Sequence, residues 1–396
     1  MSKPRIVVAF GTRPEAIKMA PVVRALRDLG SLRVDAVDTG QHRELVQQVL
    51  TLFRLRAQHS LNVMKRNQSV SEVISKTLNR TTRLFEQSRP DMVLVQGDTA
   101  SAFAVALGAF LVGARVGHVE AGLRSGDLKA PFPEELMRLM VDRATDTYFA
   151  PTTFARDNLL REGVNEGRVF VTGNTVTDAL RFICELRTMK IRAPEWRTSG
   201  PHVLITMHRR ESFGAPMLES LRAIQQLVEH YPDLSVIFPV HPNPNVRSAV
   251  RDALASHPRI CLCEPLDYLA LVRLLSEAQL VLSDSGGIQE EAPSFNVPVL
   301  ILRDVTERPE GITFARNRLV GTSRSRILRA AAEVLAESAP APGRALAPSP
   351  SVFGDGVTAS RIARIVEATL YDHSIDRGEV EYHFTAPRHT GRRRAV

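Results

Sequence analysis

A chain of 396 residues with 44% hydrophobic and 24% charged residues has the length for two globular domains, each with its own core. It contains no apolar run able to span a bilayer, and its N-terminus enters the apolar stretch 6–10 too soon for a secretory signal, so a cytoplasmic location is expected. The net charge of +8 arises from dispersed arginines without nucleic-acid-binding motifs, which sets nucleic acid aside as a partner and suits an anionic substrate.

In chain order, short apolar runs alternate with segments of helical period. The runs 6–10, 34–39, 92–96, 116–119 and 147–150 predict buried strands, with helices over 15–29, 70–87 and 101–111. A polar, proline-containing stretch at 190–201 precedes a second set. Its strands are expected at 202–207, 235–240, 260–263, 280–283 and 299–302, and its helices at 216–231, 244–256, 268–277 and 287–295. Unbroken short strands separated by helices indicate parallel sheets covered on both faces. The expected class is α/β, with two doubly wound Rossmann-like domains facing across a cleft and the ligand at the carboxyl ends of the strands. The boundaries fall at 1–188 and 189–371, with the last helix, 357–370, as the element that packs back on the first domain. Segment 338–351, rich in Pro and Ala, reads as a loop, and 372–396 reads as a polar tail ending in the solvated cluster Arg392–Arg394.

The three cysteines, Cys184, Cys261 and Cys263, are odd in number and have apolar neighbours, which argues against a disulfide framework. Cys261 and Cys263 share one face of a strand and have no second pair to complete a metal site.

Segment 11–18, GTRPEAIK, ends a strand in glycine and sets a proline near a helix start. Free amides there, with Arg13 and Lys18, read either as an anion site or as an ordinary junction with surface cations. Segment 283–291, SDSGGIQEE, repeats the arrangement in the second half. Gly286 and Gly287 let a phosphate approach the backbone, Ser285 offers a hydroxyl, and Glu290 and Glu291 suit ribose hydroxyls. One such loop in each half fits a nucleotide diphosphate sugar held between domains.

Asp98 and Glu120 each follow a strand of the first half, so a parallel sheet brings them out on one edge. Clustered carboxylates raise one another's pKa values, as acid–base work near neutrality requires. Glu134, after a proline, is either a third member or only an N-terminal helix charge. His208 and Arg209, at the end of the first strand of the second half, and Arg308, after its last strand, are placed to neutralise a departing diphosphate. HExxH, paired CxxC, the glycine fingerprint of dinucleotide folds and GxSxG are all missing. Elimination, epimerisation or transfer of a sugar nucleotide remains.

Ten motifs then stand in order: GTRPEAIKMAP, QHRE, QGDT, GHVEAGLRSGD, PFPEE, TGNTVTDAL, HRRES, PVHPNPNVR, SDSGGIQEEAPS and TERPEG. On these the chain resembles the non-hydrolysing UDP-N-acetylglucosamine 2-epimerases over about residues 5–370. The resemblance implies the two-domain GT-B fold, a homodimer, and no cofactor or metal. It implies reversible inversion at C2 of the sugar by elimination of UDP to a 2-acetamidoglucal and re-addition. It assigns Asp98, Glu120 and Glu134 as the acid–base carboxylates and His208 as support for the diphosphate. Arg13, Lys18, Ser285, Gly286, Gly287, Glu291 and Arg308 are assigned to the substrate. Bacterial members bind a second UDP-GlcNAc as activator, and Gln41, His42, Arg209 and His241 match positions of that pocket. Around Arg66 and Asn67 the chain departs from the pattern, and Leu266 and Leu271 stand at uracil-side positions where some relatives carry Gln and Phe. The alternative substrates are a UDP-2-acetamido uronic acid or a 2,3-diacetamido sugar. A hydrolysing epimerase ranks next, and a GT-B glycosyltransferase or a non-catalytic UDP-sugar sensor ranks last.

Overall fold

The structure is a computed structural model describing residues 3–65, 68–186, 201–207, 213–337 and 350–385. Thirteen strands form two sheets among these residues. The first holds β1 (Arg5–Phe10), β2 (Arg33–Asp38), β3 (His59–Ser60), β4 (Met92–Gln96), β5 (Arg115–Val119), β6 (Thr147–Ala150) and β7 (Val169–Val171), in the order β3-β2-β1-β4-β5-β6-β7. The second holds β8 (His202–Thr206), β9 (Ser235–Pro239), β10 (Ile260–Cys263), β11 (Leu280–Ser283), β12 (Val299–Ile301) and β13 (Asn317–Leu319), in the order β10-β9-β8-β11-β12-β13. Every pairing is parallel.

Alternation along β1 shows why such strands are apolar throughout. Ile6, Val8 and Phe10 enter one core with Ala16, Met19 and Val23 of the helix Arg13–Asp28, while Val7 and Ala9 enter another with Val93, Val95 and Val105. The first of these cores continues into the second unit through Tyr268, Val272 and Ile288. In both sheets the strand order reverses beside the first strand, between β1 and β4 and between β8 and β11. Loops leaving those strands border a crevice, which is where doubly wound folds bind ligands.

The expected strands all form, within a residue of their predicted ends. Three edge strands, β3, β7 and β13, were not expected, because two or three residues carry too little pattern to announce a strand. The helix expected over 287–295 is instead an α-helix, Gly286–Glu291, followed by a 3-10 turn, Ala292–Phe295. Pro293 lacks the N–H that would continue the α-helical ladder. Most of the loop expected at 338–351, and the cluster Arg392–Arg394, lie outside the described residues.

The tail from 372 carries more order than its polarity suggested. A short helix, Arg377–Val380, lies against edge strand β7: Arg377 Nη1 donates to the Val169 carbonyl at 3.0 Å, and the Tyr382 amide donates to the Val171 carbonyl at 2.7 Å. The Tyr382 hydroxyl donates to Ser351 O at 2.6 Å. Phe384 then meets Phe314 edge-on at 6.1 Å, and Phe314 meets Phe154 at 6.3 Å, joining the two units. Covering β7 in this way hides its unpaired backbone groups.

The helix Thr358–Leu370 packs beside Arg13–Asp28, burying Ile362, Ile365 and Val366 in the first unit's core. Its own first turn has no local side-chain cap. Asp178 supplies one from the helix Val176–Glu185, accepting from Ala359 N at 2.8 Å and Thr358 N at 3.1 Å. Asp178→Ala leaves two buried amides unpaired and is expected to lower unfolding free energy by about 1–2 kcal/mol in a urea titration. A loss confined to that range also requires an unchanged denaturant slope.

Candidate active site

The first anion-type loop follows β1. Thr12 and Glu15 form a capping box, in which Glu15 Oε2 accepts from Gly11 N and Thr12 N at 2.7 Å each. That cap fixes the helix start from which Arg13 and Lys18 project. Arg13 Nη1 reaches across to donate to the Leu266 carbonyl at 3.0 Å. Lys18 is buried and lies between two carboxylates, Glu120 of its own unit and, at 2.7 Å, Glu290 Oε2 of the other. Burial pulls the Lys18 ammonium down, but Glu120 and Glu290 outweigh it and leave its pKa above the ordinary value.

Glu120 follows β5 directly and adopts φ 70°, a left-handed conformation that costs a non-glycine residue about 1–2 kcal/mol. Its amide, donated to the Phe149 carbonyl at 3.0 Å, helps hold it there. Its carboxylate receives Lys18, Gln96 Nε2 at 3.0 Å, Asn174 Nδ2 at 3.3 Å and Arg308 Nη2 at 3.3 Å. Burial, then the neighbouring Glu290, push the Glu120 pKa up. Asp98, two residues beyond β4, is held below the usual carboxylate range because Arg138, in contact with it, outweighs the opposing effect of burial. The two carboxyls are thereby driven in opposite directions, the pattern that separates acid from base.

From the second unit, Arg308 contacts Glu290, Glu307 and Glu120, while Glu307 also accepts from Arg303 at 3.1 Å. The Arg308 guanidinium packs so closely on the loop after β11 that a Cβ at Gly286 would lie 2.8 Å from its Nη1. A larger residue there would have to displace the Arg308 guanidinium from its carboxylate partners. Ser285 occupies the N-cap position of Gly286–Glu291 without using its hydroxyl as the cap. Glu291 accepts from the Tyr268 hydroxyl at 3.1 Å, and burial pushes its pKa up to about 7.

Of these, Arg13, Lys18, Asp98, Glu120, Glu291 and Arg308 line one cavity of about 290 Å³. Ser285, Gly286, Gly287 and Leu271 line it as well. Through Arg13 and Tyr268 it adjoins a wider opening of about 1220 Å³ bordered by Asp38, Arg43, Arg56 and Asp267. Glu134 is not among the cavity-lining residues: it heads the helix Glu134–Arg143, with Oε2 buried and without a hydrogen-bond partner among the described residues. Its neighbour Glu135 accepts from Ser125 N and Gly126 N, at 3.0 and 3.1 Å, and holds Arg138. Gln41 accepts from Ser101 Oγ at 2.7 Å. His42 is held below its ordinary pKa by desolvation, with the Arg13 and His241 charges acting in the same direction. His208 and Arg209 lie outside the described residues.

Sequence reasoning passed over Gln96, Asn174, Arg138 and Glu307, and gave Glu290 no part in binding the cations. Gln96 and Asn174 were visible inside the quoted motifs; Arg138, one turn into a helix, had no local signal.

The family model for UDP-N-acetylglucosamine 2-epimerase matches residues 24–367. A probable UDP-N-acetylglucosamine 2-epimerase from Ralstonia solanacearum is 43% identical over 372 residues, covering 92% of this chain and 99% of that protein. The crystal structure of UDP-GlcNAc 2-epimerase from Neisseria meningitidis bound to UDP-GlcNAc superposes with a TM-score of 0.86 at 40% identity, covering 93% of this chain and 100% of that one. The Methanocaldococcus jannaschii UDP-GlcNAc 2-epimerase in complex with UDP-GlcNAc and UDP gives 0.81 at 33% identity, with 92% and 99% covered. With the same pair of parallel sheets and a match over nearly its whole length, this chain belongs to the UDP-N-acetylglucosamine 2-epimerase family.

Proposed function

We propose that the protein interconverts UDP-N-acetylglucosamine and UDP-N-acetylmannosamine by inverting C2, with UDP eliminated and re-added rather than lost to water. The observation that carries this reading is the meeting of Lys18, Glu120, Glu290 and Arg308 from both units in one buried cleft that Asp98 also lines. Breaking C1–O sends an electron pair to the diphosphate, while a base takes the C2 proton to give a 2-acetamidoglucal. The C2 proton is weakly acidic, so stabilising the departing diphosphate must supply much of the rate enhancement. Lys18, Arg308 and His208 are the groups proposed for that task. Arg13, Ser285, Gly286 and Gly287 hold the nucleotide, and Glu291 accepts from the ribose. Asp98, Glu120 and Glu134 exchange the proton on the two faces of C2. No metal or cofactor is needed for this chemistry.

In the same reading 1–188 carries the acid–base groups and 189–371 the nucleotide contacts. Gln41, His42, Arg209 and His241 form the pocket of an activating second UDP-GlcNAc. The protein acts in the cytoplasm; no helix among the described residues is long and apolar enough to cross a membrane. A homodimer is part of this proposal, supported by exposed apolar side chains on the neighbouring helices Ala100–Leu111 and Glu134–Arg143 and on the loop leading into the second: Phe110, Leu111, Leu128, Phe132, Leu136 and Met140. Sedimentation velocity should give twice the chain mass, and Phe132→Asp with Met140→Asp should return the chain mass; a monomer at the outset removes the dimer from the proposal.

Proton NMR with UDP-GlcNAc in deuterated water and no added metal tests the reaction itself. UDP-ManNAc with deuterium at C2 of both epimers is expected. Release of UDP with free ManNAc instead assigns hydrolysis, and an unchanged spectrum that turns over with a uronic acid or diacetamido nucleotide assigns a modified sugar.

The role of Glu291 predicts a pH dependence. Its carboxyl, raised to about 7, is mostly protonated below that pH, whereas ribose hydroxyls donate to the ionised form. Proton and sugar nucleotide therefore compete, and the KM for UDP-GlcNAc should rise by up to about tenfold per pH unit below 7. The sugar diphosphate has no ionisation of its own in that range. Glu291→Gln should bind weakly at all pH values and lose this limb; a retained limb places the titration elsewhere.

A further inference from the structure

His118 lies on β5, two residues before Glu120, and its ring is 1% exposed. Nδ1 is 2.6 Å from Asp142 Oδ1, and Nε2 is 2.9 Å from the carbonyl oxygen of Gly97. Both neighbours are acceptors only. The ring bridges the helix Glu134–Arg143 and the turn at Gly97, with one nitrogen on each. Asp142 is itself held in place. Its second oxygen accepts from Arg124 at 2.7 Å, and Arg124 is held in turn by both oxygens of Glu162, at 2.7 and 2.8 Å.

The other end of this chain of contacts is the corner that carries Asp98. Gly97 has φ 73°, a conformation glycine adopts freely, and its amide donates to the Val119 carbonyl at 3.2 Å. The helix Glu134–Arg143 grips this corner at two points. Arg138 binds the Asp98 carboxylate directly, held by Glu135 at 2.8 Å. One turn later, Asp142 reaches the Gly97 carbonyl through the His118 ring. Neither His118 nor Asp142 lines the cavity.

We propose that His118 is a positioning residue for C2 epimerisation: its imidazole, held between Asp142 and the Gly97 carbonyl, fixes that carbonyl and so aims the Asp98 carboxylate into the cleft. The proposal rests on Asp98 taking part in proton transfer. A side chain that only filled the core would weaken every variant equally; one that acts through Asp98 has nothing left to do once Asp98 is disabled.

The test is a double-mutant cycle with His118→Gln and Asp98→Asn, reading kcat and KM for UDP-GlcNAc. His118→Gln is expected to lower kcat about a hundredfold with KM unchanged, the cost of a misplaced reacting group. Adding it to Asp98→Asn should cost nothing further. Asp142→Asn, which removes the carboxylate and keeps the ring, should show the same split and serves if His118→Gln does not fold. Multiplicative losses in the double variant, or wild-type kcat in His118→Gln, would each overturn the proposal. Wild-type turnover by Asp98→Asn would instead remove the role given to Asp98, and the proposal with it.

Discussion

Two cations and two carboxylates buried across the junction, Lys18 and Arg308 with Glu120 and Glu290, set the terms for the rest of the molecule. Taking such groups out of water is costly, and the cost is offset only when each charge has its partner at close range. Each unit brings one cation and one carboxylate that pair with each other, and Lys18 with Glu290 and Arg308 with Glu120 then pair across the junction. Glu290 is central to that arrangement. It is held ionised because Arg308 and Lys18 outweigh its burial, whereas the adjacent Glu291, one residue along the same short helix, is driven towards protonation by burial. Adjacent residues of one type thus serve different chemistry because a helix turns them to different neighbours.

The sheets make this convergence affordable in sequence terms. Each element of the cleft leaves the carboxyl end of a strand at or next to a reversal of strand order: the segment from Gly11 after β1, Asp98 after β4, Glu120 after β5 and Ser285 after β11. The strands themselves are apolar and fixed in register, with Gln96 opposite Val119, so the depth at which Asp98 and Glu120 emerge is decided by pairing. Function then requires only a few residues of each loop.

Much of this was legible in the residues alone, for a physical reason. Buried parallel strands are continuous apolar runs, and the loops that leave them carry glycine, charge and proline in conspicuous clusters. What escaped notice depended on distant parts of the chain. The edge strand β7 is three residues long and is stabilised by a polar tail more than two hundred residues later, through Arg377 and Tyr382. Segment 11–18 left an anion site and an ordinary junction both open, and Glu15 within it is a capping carboxylate. Glu134 and Glu135 are chemically identical in sequence, yet only the second is tied into the loop at 125–126 and to Arg138. Arg138 itself points at Asp98 from a helix whose orientation no local pattern states.

The return of the helix Thr358–Leu370 to the first unit means that the polypeptide passes between the units twice, once between residues 186 and 201 and once between 337 and 350. The core of the first unit is thus completed by Ile362, Ile365 and Val366, residues that follow the whole of the second unit in the chain. A chain ending before Thr358 would leave the face of the helix Arg13–Asp28 that they cover open to water, so the first unit reaches its finished form only after the second has been made.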